Sequence, residues 1–415
     1  MNLNIKNNLN YIFKNFSVLF LFNSLSLIIS FLFNIILLSL IEQNVYGQYK
    51  YYLSIFAMLS IFSFSGFNEA YLRDVSKKNE GTLYIILKFK LKVSIIFLLL
   101  FLIASLILFY INYNILYFTL IVCVFYIPYY VFDVFKSYYS GKQKFRKIAL
   151  INFVKNILIF LVIYVFLKYV EVKNGITLIL LYLLISSIIN SYFLFKIKKE
   201  ISKSKDIKRN NDSLEFGKKI SYLNFFVLLL GNTDNLLLKY FYDYKTIAIY
   251  STAMVFMLFI KSAESSFISI LTPIFYKYSN LTETFRKNYK KFLIIFFFST
   301  ILAIISYFLF PIVSRIILPE KYFESIKYAN IMIFYVLMFG TMNLMFQNLL
   351  IVNKKLKKSF YLNLIVSIIR ALLMIILCKY YGIYGLVYST CFCYVLGLIF
   401  AFIFINDEIK KDVMI

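Results

Sequence analysis

Long apolar runs alternate with short polar breaks along the whole chain. A helix needs about 20 predominantly apolar residues to cross the hydrocarbon core of a bilayer. The pattern predicts twelve such helices, and we expect the first to be retained because its run is too long for a signal peptide. Their approximate ranges are 16–41, 49–71, 91–111, 114–135, 148–168, 175–196, 220–241, 246–273, 291–312, 327–351, 359–379 and 382–405.

The composition also indicates an all-α integral membrane protein. Of the 415 residues, 62% are hydrophobic and 15% are charged, whereas soluble domains are about 25% charged. The net charge of +26 comes from cations in the polar breaks: 33 Lys and Arg lie in one set of alternate loops and nine in the other. Because the more basic loops stay in the cytoplasm, we expect both termini there. This topology explains the charge without a nucleic-acid partner.

The longest polar segment, 197–219, divides the predicted helices into two groups of six. We interpret it as a basic cytoplasmic linker that lies against anionic lipid. Residues 1–196 then form an N-terminal lobe with helices 1–6, and 220–405 form a C-terminal lobe with helices 7–12. The remaining residues, 406–415, are predicted to be a cytoplasmic tail.

A weak internal repeat relates the two predicted lobes. When 34–50 is aligned with 235–251 without gaps, Asn34 falls on Asn235 and Tyr49 falls on Tyr250. The two segments are six predicted helices apart and run in the same direction. Internal repeats are common in transporters that open alternately to the two sides of the membrane.

The residue types argue against an enzyme. The chain has no His, and its four Cys lie in apolar runs at spacings that are not typical of metal ligands. We therefore expect no metal site and no cofactor. A Ser–His–Asp or Cys–His arrangement is impossible without His. The sequence has no phosphate-binding loop of the NTPase type. A membrane polysaccharide polymerase or acyltransferase is disfavoured, because the predicted outer loops are short.

Several segments in order resemble one family. They are Phe33-Asn-Ile-Ile to Val45-Tyr-Gly-Gln-Tyr49, Phe64-Ser-Gly-Phe-Asn-Glu-Ala-Tyr-Leu-Arg-Asp74, Gly231-Asn-Thr-Asp-Asn235 with Ile247-Ala-Ile-Tyr-Ser251, Leu309-Phe-Pro311 to Leu318 with Tyr322, and Tyr381-Gly-Ile-Tyr-Gly385 to Thr390. Together they resemble the repeat-unit flippases of O-antigen and capsule synthesis in the multidrug/oligosaccharidyl-lipid/polysaccharide (MOP) exporter superfamily. Ala248 and Leu386 stand where that family often has Gly and Ala.

The resemblance implies a V-shaped protein of two six-helix lobes in the bacterial cytoplasmic (inner) membrane. Its cargo would be a polyprenyl-pyrophosphate-linked oligosaccharide, moved from the inner to the outer leaflet by alternating access. The other expected partners are membrane lipids and the polysaccharide polymerase with its chain-length machinery. We expect a monomer.

Three cations at bilayer depth are candidates for binding the pyrophosphate: Arg370, Lys155 and Lys261. A charge in the membrane usually faces a cavity or a partner, and Arg and Lys both bind phosphate. Arg370 is the first choice because nothing acidic lies within one helical turn of it. We therefore expect Arg370→Ala to reduce flipping far more than folding. A structural helix–helix pair remains the alternative for Arg370 and Lys155.

Four further charged residues are candidates for ion coupling or for pairing between lobes. Lys261 and Glu264 are three apart and Glu69 and Arg73 are four apart, so each pair can neutralise itself on one helix face. Asp234 matches an acidic position of the family pattern. It is a candidate to pair with a cation or to take up a proton, and a structural acid at a helix end is the alternative.

Two other transport functions remain open within the same superfamily: export of drugs or cations, and flipping of the peptidoglycan lipid precursor. A cation exporter should present acids in its cavity, whereas the mid-membrane charges here are mixed, which favours an anionic cargo. Scattered Asn residues are candidates to bind sugar hydroxyls or to join helices. They are Asn23, Asn34, Asn152, Asn190, Asn224 and Asn343.

Overall fold

The structure is a computed structural model that describes residues 25–108, 113–203, 208, 210, 212–275, 281–352 and 355–414. The described chain is 91% helical and contains no strand. Within it, nine helices are long and apolar enough to span a bilayer, or ten if one bent pair is counted as a span. The predicted all-α, multi-pass membrane fold is confirmed, whereas the number twelve, the cytoplasmic termini and the domain boundaries stay predictions.

The helices of the first half each overlap a predicted apolar run, and the part of the first run before residue 25 lies outside the described residues. They are α1 (Leu25–Leu40), α2 (Gln43–Leu59), α3 (Gly66–Ser76), α4 (Thr82–Leu108), α5 (Tyr113–Tyr126), α6 (Phe135–Gly141), α7 (Phe145–Tyr169) and α8 (Gly175–Ser202).

The second half continues the same pattern. They are α9 (Ser213–Leu230), α10 (Asp234–Phe241), α11 (Tyr244–Phe275), α12 (Leu281–Ile317), α13 (Glu324–Tyr335), α14 (Thr341–Val352), α15 (Leu356–Tyr381) and α16 (Ile383–Met414).

Two predicted runs are broken in the structure. The run 49–71 divides into α2 and α3, which meet at an angle of 54°. The run 220–241 divides into α9 and α10, and the break lies at 231–233. Hydropathy alone does not show these breaks, because a window of about 20 residues averages over each of them.

α12 contains a proline, and the structure compensates for it. Pro311 has no N–H to donate to the carbonyl of Tyr307, four residues earlier. Asn330 Nδ2 from α13 donates to that carbonyl at 3.1 Å. A carbonyl without a partner is costly in a membrane, so this bond lets α12 continue through the proline.

The first compact unit comprises the described part of Met1–Phe33 together with Tyr52–Leu229. Its core is aromatic, with Phe67, Tyr71 and Tyr138 almost fully buried. α9 belongs to this unit because Gly66 of α3 lies directly against it: the Gly66 N–H donates to Ser221 Oγ at 3.2 Å.

The second compact unit comprises Asn34–Tyr51 and Leu230–Ile415. α15 and α16 pack along each other, and α10 contacts both α11 and α15. An apolar cluster around Phe292, Met345 and Leu349 holds α12, α14 and α16 together. These contacts fix the helices that carry the polar residues described below.

The segment Asn34–Tyr51 is joined to the second unit by specific contacts. Lys321 Nζ donates to the carbonyl of Ile41 at 2.6 Å, and the Gln43 amide donates to the carbonyl of Lys321. The rings of Tyr46 and Tyr322 meet edge to face at 6.1 Å. This segment contains the end of α1 and the start of α2, so each of these helices contributes residues to both units.

The predicted internal repeat has a structural counterpart. Lys50 Nζ donates to Asn34 Oδ1 at 2.9 Å, and Ser251 Oγ donates to Asn235 Oδ1 at 3.3 Å. In the gapless alignment Asn34 falls on Asn235 and Lys50 on Ser251. The same two positions are therefore linked in both copies, which supports the repeat.

Candidate functional site

The second unit contains a cavity of about 330 Å³ that is open at the surface of the unit. Its walls come from α11, α14, α15 and α16, with Gly340 at the π-helical turn before α14. Met254, Met257 and Leu258 form an apolar part of the wall. The polar side chains that line it are Lys261, Asn343, Gln347, Asn363, Ser367, Arg370, Thr390 and Tyr394.

Arg370 lines this cavity, but it is not unpaired. Its Nη2 donates to Asp234 Oδ2 at 2.7 Å. Nothing acidic lies within one helical turn of Arg370, but an acid on another helix, far away in the sequence, pairs with it. The local pattern around Arg370 carries no sign of this partner.

The position of Asp234 follows from the break between α9 and α10. Asp234 is the first residue of α10, where the helix dipole stabilises a carboxylate. Its Oδ2 also accepts a hydrogen bond from the Tyr250 hydroxyl at 2.5 Å. Asp234 is 9% exposed and Arg370 is 21% exposed, so the arginine is the member of the pair that reaches the cavity.

The ion pair leaves hydrogen-bonding capacity on both partners. Asp234 Oδ1 and Arg370 Nε are buried and have no hydrogen-bond partner among the described residues. A bidentate Arg–carboxylate pair uses two parallel bonds, whereas one is formed here. The pair is therefore looser than the arrangement that best stabilises two buried charges.

Lys261 and Glu264 do not form a direct ion pair, and the prediction that their charges neutralise each other stays a prediction. Glu264 Oε1 accepts from the Thr341 hydroxyl at 2.7 Å, and Oε2 has no hydrogen-bond partner among the described residues. Lys261 Nζ lies 5.7 Å from the centre of the Tyr394 ring at the cavity wall. Glu264 instead turns toward α14, because Thr341 offers its buried carboxyl a donor.

Gln347 and Asn363 also line the cavity, and the sequence-based prediction did not include them. Of the Asn residues that it did name, Asn343 lines the cavity and accepts from Gln347 Nε2 at 3.2 Å. Asn190 joins helices instead, since its Nδ2 donates to the Tyr129 carbonyl at 2.9 Å. Polar residues recur every three or four positions on α14 and on α15, which places them on one face of each helix. This spacing was the signal that could have identified Gln347 and Asn363.

Lys155 lies in the first unit, on α7, and is half-buried. Within the described part of the chain it has no ion-pair or hydrogen-bond partner, so its two interpretations both stay predictions. A second buried cation, Lys90, was counted among the loop residues but lies inside α4 with 1% exposure. Its Nζ donates to Asn68 Oδ1 at 2.9 Å, and Asn68 Nδ2 donates to Asp133 Oδ1 at 3.0 Å.

The predicted pair of Glu69 and Arg73 does not form. Glu69 is exposed, and Arg73 Nη2 lies 3.6 Å from Asp74 Oδ1. Asp74 is fully buried and also accepts from the side chains of Asn210 and Ser213. A buried carboxylate needs several donors, which explains why Asp74 rather than Glu69 attracts the arginine.

The sequence matches the family model described as polysaccharide biosynthesis protein over residues 12–279. This is more than half of the chain, and the chain belongs to that family. No protein of curated function matches it significantly in sequence.

The fold is similar to that of MOP-superfamily transporters. An inward-facing multidrug resistance MATE family transporter of this superfamily has a TM-score of 0.68 at 12% identity, covering 95% of each chain. A MOP superfamily transporter from Pyrococcus furiosus has a TM-score of 0.63 at 11% identity, covering 96% of each chain. The lipid II flippase MurJ has a TM-score of 0.57 at 16% identity, covering 95% of this chain and 89% of its own.

These findings define a multi-pass membrane protein of the flippase and transporter fold. Its cavity combines two cations with amide and hydroxyl groups in one compact unit. Such a lining suits a ligand that carries both phosphate and hydroxyl groups, since Arg and Lys bind phosphate and amides bind hydroxyls. Among the described residues, no group of three acidic, Cys or His side chains is placed to hold a metal ion.

Proposed function

We propose that this protein flips polyprenyl-pyrophosphate-linked oligosaccharide repeat units from the inner to the outer leaflet of the bacterial cytoplasmic membrane. The observation that carries the proposal is the cavity of the second unit, where Arg370 and Lys261 stand beside Asn343, Gln347 and Asn363. Membership of the polysaccharide biosynthesis family supports it. The similarity to MOP-superfamily folds supports transport by alternating access.

The ion pair gives Arg370 a defined role in this proposal. Without cargo, Asp234 neutralises the arginine, because an unpaired guanidinium in the membrane is costly. A pyrophosphate that enters the cavity offers Arg370 more acceptor oxygens than one carboxylate does, and it can be gripped bidentately. Asp234 then keeps its bond from Tyr250 while Arg370 turns to the phosphate.

Two other cargoes can be compared with this one. A cationic drug is disfavoured because the cavity lining, as far as the described residues form it, contains Lys261 and Arg370 and no acid. The peptidoglycan lipid precursor shares the polyprenyl pyrophosphate, and MurJ, a lipid II flippase, has a similar fold. The two lipid cargoes differ in the headgroup beyond the pyrophosphate, and the amides of the cavity are the groups that would distinguish those headgroups.

The proposal is tested with purified protein in liposomes. We would place a fluorescent polyprenyl-pyrophosphate oligosaccharide in the membrane and follow its accessible fraction with a membrane-impermeant quencher. Protein-dependent transfer, competed by unlabelled lipid-linked oligosaccharide but not by a cationic drug, is the expected result. Transfer of the peptidoglycan precursor alone, or of the drug alone, would overturn the proposed cargo.

No catalytic step is assigned to the protein. Transport needs only two properties of the cavity. The headgroup must bind there in preference to staying in water, and the cavity must open to each side of the membrane in turn. We expect polymerisation of the repeat units to be carried out by a separate polymerase, with its chain-length machinery, after transfer.

A further inference from the structure

We propose that the second unit carries a binding site for the headgroup of an anionic phospholipid at the end of α12. The site is separate from the cavity that contains Arg370, and the proposal does not depend on the nature of the cargo. It is formed where Arg315 of α12 and Lys327 of α13 line a cavity of about 500 Å³. The remaining lining residues are Pro311, Phe323, Ile326 and Asn330.

The walls of this cavity are fixed by the proline of α12. Asn330 Nδ2 donates to the Tyr307 carbonyl, which Pro311 leaves without a helical partner. This bond ties α13 to α12 on the side where both Pro311 and Asn330 line the cavity. Leu318 and Tyr322, both buried, anchor the connection between the two helices. The cavity is therefore a feature of the fold rather than a gap between loose side chains.

The charge at the site is available for an anion. Among the described residues, Arg315 has no hydrogen-bond or ion-pair partner. Lys327 is partly neutralised, since its Nζ lies 3.1 Å from Glu324 Oε1 and 4.9 Å from the centre of the Tyr328 ring. Arg315 is thus the primary cation for a phosphate, because its guanidinium can bind two oxygens at once. Lys327 adds a weaker second attraction.

The surface next to Arg315 suits lipid chains. Phe308, Ile312 and Ile316 follow one another at four-residue spacing along α12 and are 69%, 61% and 82% exposed. Such a stripe on a membrane-spanning helix faces lipid. Arg315 lies beside the end of this stripe, so a headgroup bound there can place its chains along the stripe. This arrangement favours a phospholipid over a soluble phosphate.

The experiment measures lipid binding by native mass spectrometry of the detergent-purified protein. Phosphatidylglycerol and phosphatidylcholine with identical acyl chains are added at equal concentration. A cation at the membrane surface contributes about fivefold to binding of an anionic lipid. We expect the wild type to prefer phosphatidylglycerol, and Arg315→Gln to lower this preference about fivefold.

Two controls keep the result specific. Lys379→Gln removes one exposed cation from the end of α15 and should retain the preference. Lys327→Gln should reduce it only in part, because Glu324 already shares that charge. Both Arg315 and Lys379 are exposed, so we expect neither variant to lower the melting temperature.

Three results would overturn the inference. One is equal binding of the two phospholipids by the wild type. A second is displacement of phosphatidylglycerol by millimolar inorganic phosphate, which would mean that the site takes a free anion. The third is selective binding of polyprenyl phosphate over phosphatidylglycerol, which would make the site part of the cargo pathway.

Discussion

Arg370 Nη2 donates to Asp234 Oδ2 at 2.7 Å, and the two residues are 136 positions apart in the sequence. One partner lies in the middle of α15 and the other begins α10. The pair connects the break of the seventh apolar run to the wall of the cavity. It places a cation at the cavity while keeping its charge compensated inside the membrane.

The first prediction concerns this pair. Arg370→Gln leaves the Asp234 carboxylate buried without its cation, and removing one member of a buried pair costs about 3–5 kcal/mol. Asp234→Asn likewise leaves the arginine without its partner. We expect each single variant to lower the melting temperature clearly, and the double variant Asp234→Asn/Arg370→Gln to recover most of the loss.

The melting temperature is measured with a thiol-reactive dye. The chain has no Trp to report on unfolding, but Cys378, Cys391 and Cys393 are buried free thiols that become reactive when the protein unfolds. Losses of the two single variants that simply add in the double variant would contradict the pairing. The earlier expectation that Arg370→Ala spares folding is replaced by this one.

The second prediction separates transport from stability. Lys261 lines the cavity and, among the described residues, has no ion-pair partner, so Lys261→Gln removes the proposed phosphate-binding charge without breaking an ion pair. We expect transfer of the pyrophosphate-linked cargo to fall about tenfold, a loss of about 1.4 kcal/mol. The melting temperature should stay near that of the wild type.

The matched control lies on the same helix. Lys245 is exposed in the first turn of α11, and Lys245→Gln removes the same charge away from the cavity. Normal transfer by this variant is expected. If both substitutions reduced transfer equally, the effect would come from net charge and not from the cavity.

A third prediction tests the compensation of the proline in α12. Asn330→Leu leaves the Tyr307 carbonyl without a partner, and such a bond in a membrane protein contributes about 1 kcal/mol. We expect a lower melting temperature. In a Pro311→Ala background the residue at 311 regains its N–H and can satisfy Tyr307 itself. Asn330→Leu should then be nearly neutral, and an equal loss in both backgrounds would disprove the compensation.

The fourth prediction concerns the close contact between α2 and the start of α11. A Cβ atom at Gly47 would overlap the backbone carbonyl of Tyr244, which cannot move as a side chain can. Overpacking of this kind costs about 1–3 kcal/mol, so Gly47→Ala should lower the melting temperature. Gly340 provides the comparison, because a Cβ there would meet its nearest atom at 3.5 Å. Gly340→Ala should therefore destabilise the protein less than Gly47→Ala does.

The sequence predicted the helical membrane fold well because a span needs a long apolar run, and such runs are visible without any alignment. It also identified Arg370 and Lys261, because a charge at bilayer depth needs a cavity or a partner. The partner of Arg370 was missed, since a contact between α10 and α15 leaves no local trace. Lys90 was missed for a different reason: it lies near the end of an apolar run, where a loop residue and a buried one look alike.

The two broken helices show a further limit of hydropathy. Residues 231–233 are followed directly by Asp234, and the break is what turns this acid toward α15. A window of about 20 residues averages over such a break. The acid was recognised from the family pattern, but its position at the start of a helix became clear only in the structure.

The most direct test of the account is to delete the gene and analyse the lipid-linked sugars of the cell by mass spectrometry and leaflet-selective labelling. Complete single repeat units held on the inner leaflet are the predicted result, and wild-type protein should release them faster than Lys261→Gln does. Unpolymerised units on the outer leaflet would contradict the account, because flipping would then be intact without this protein.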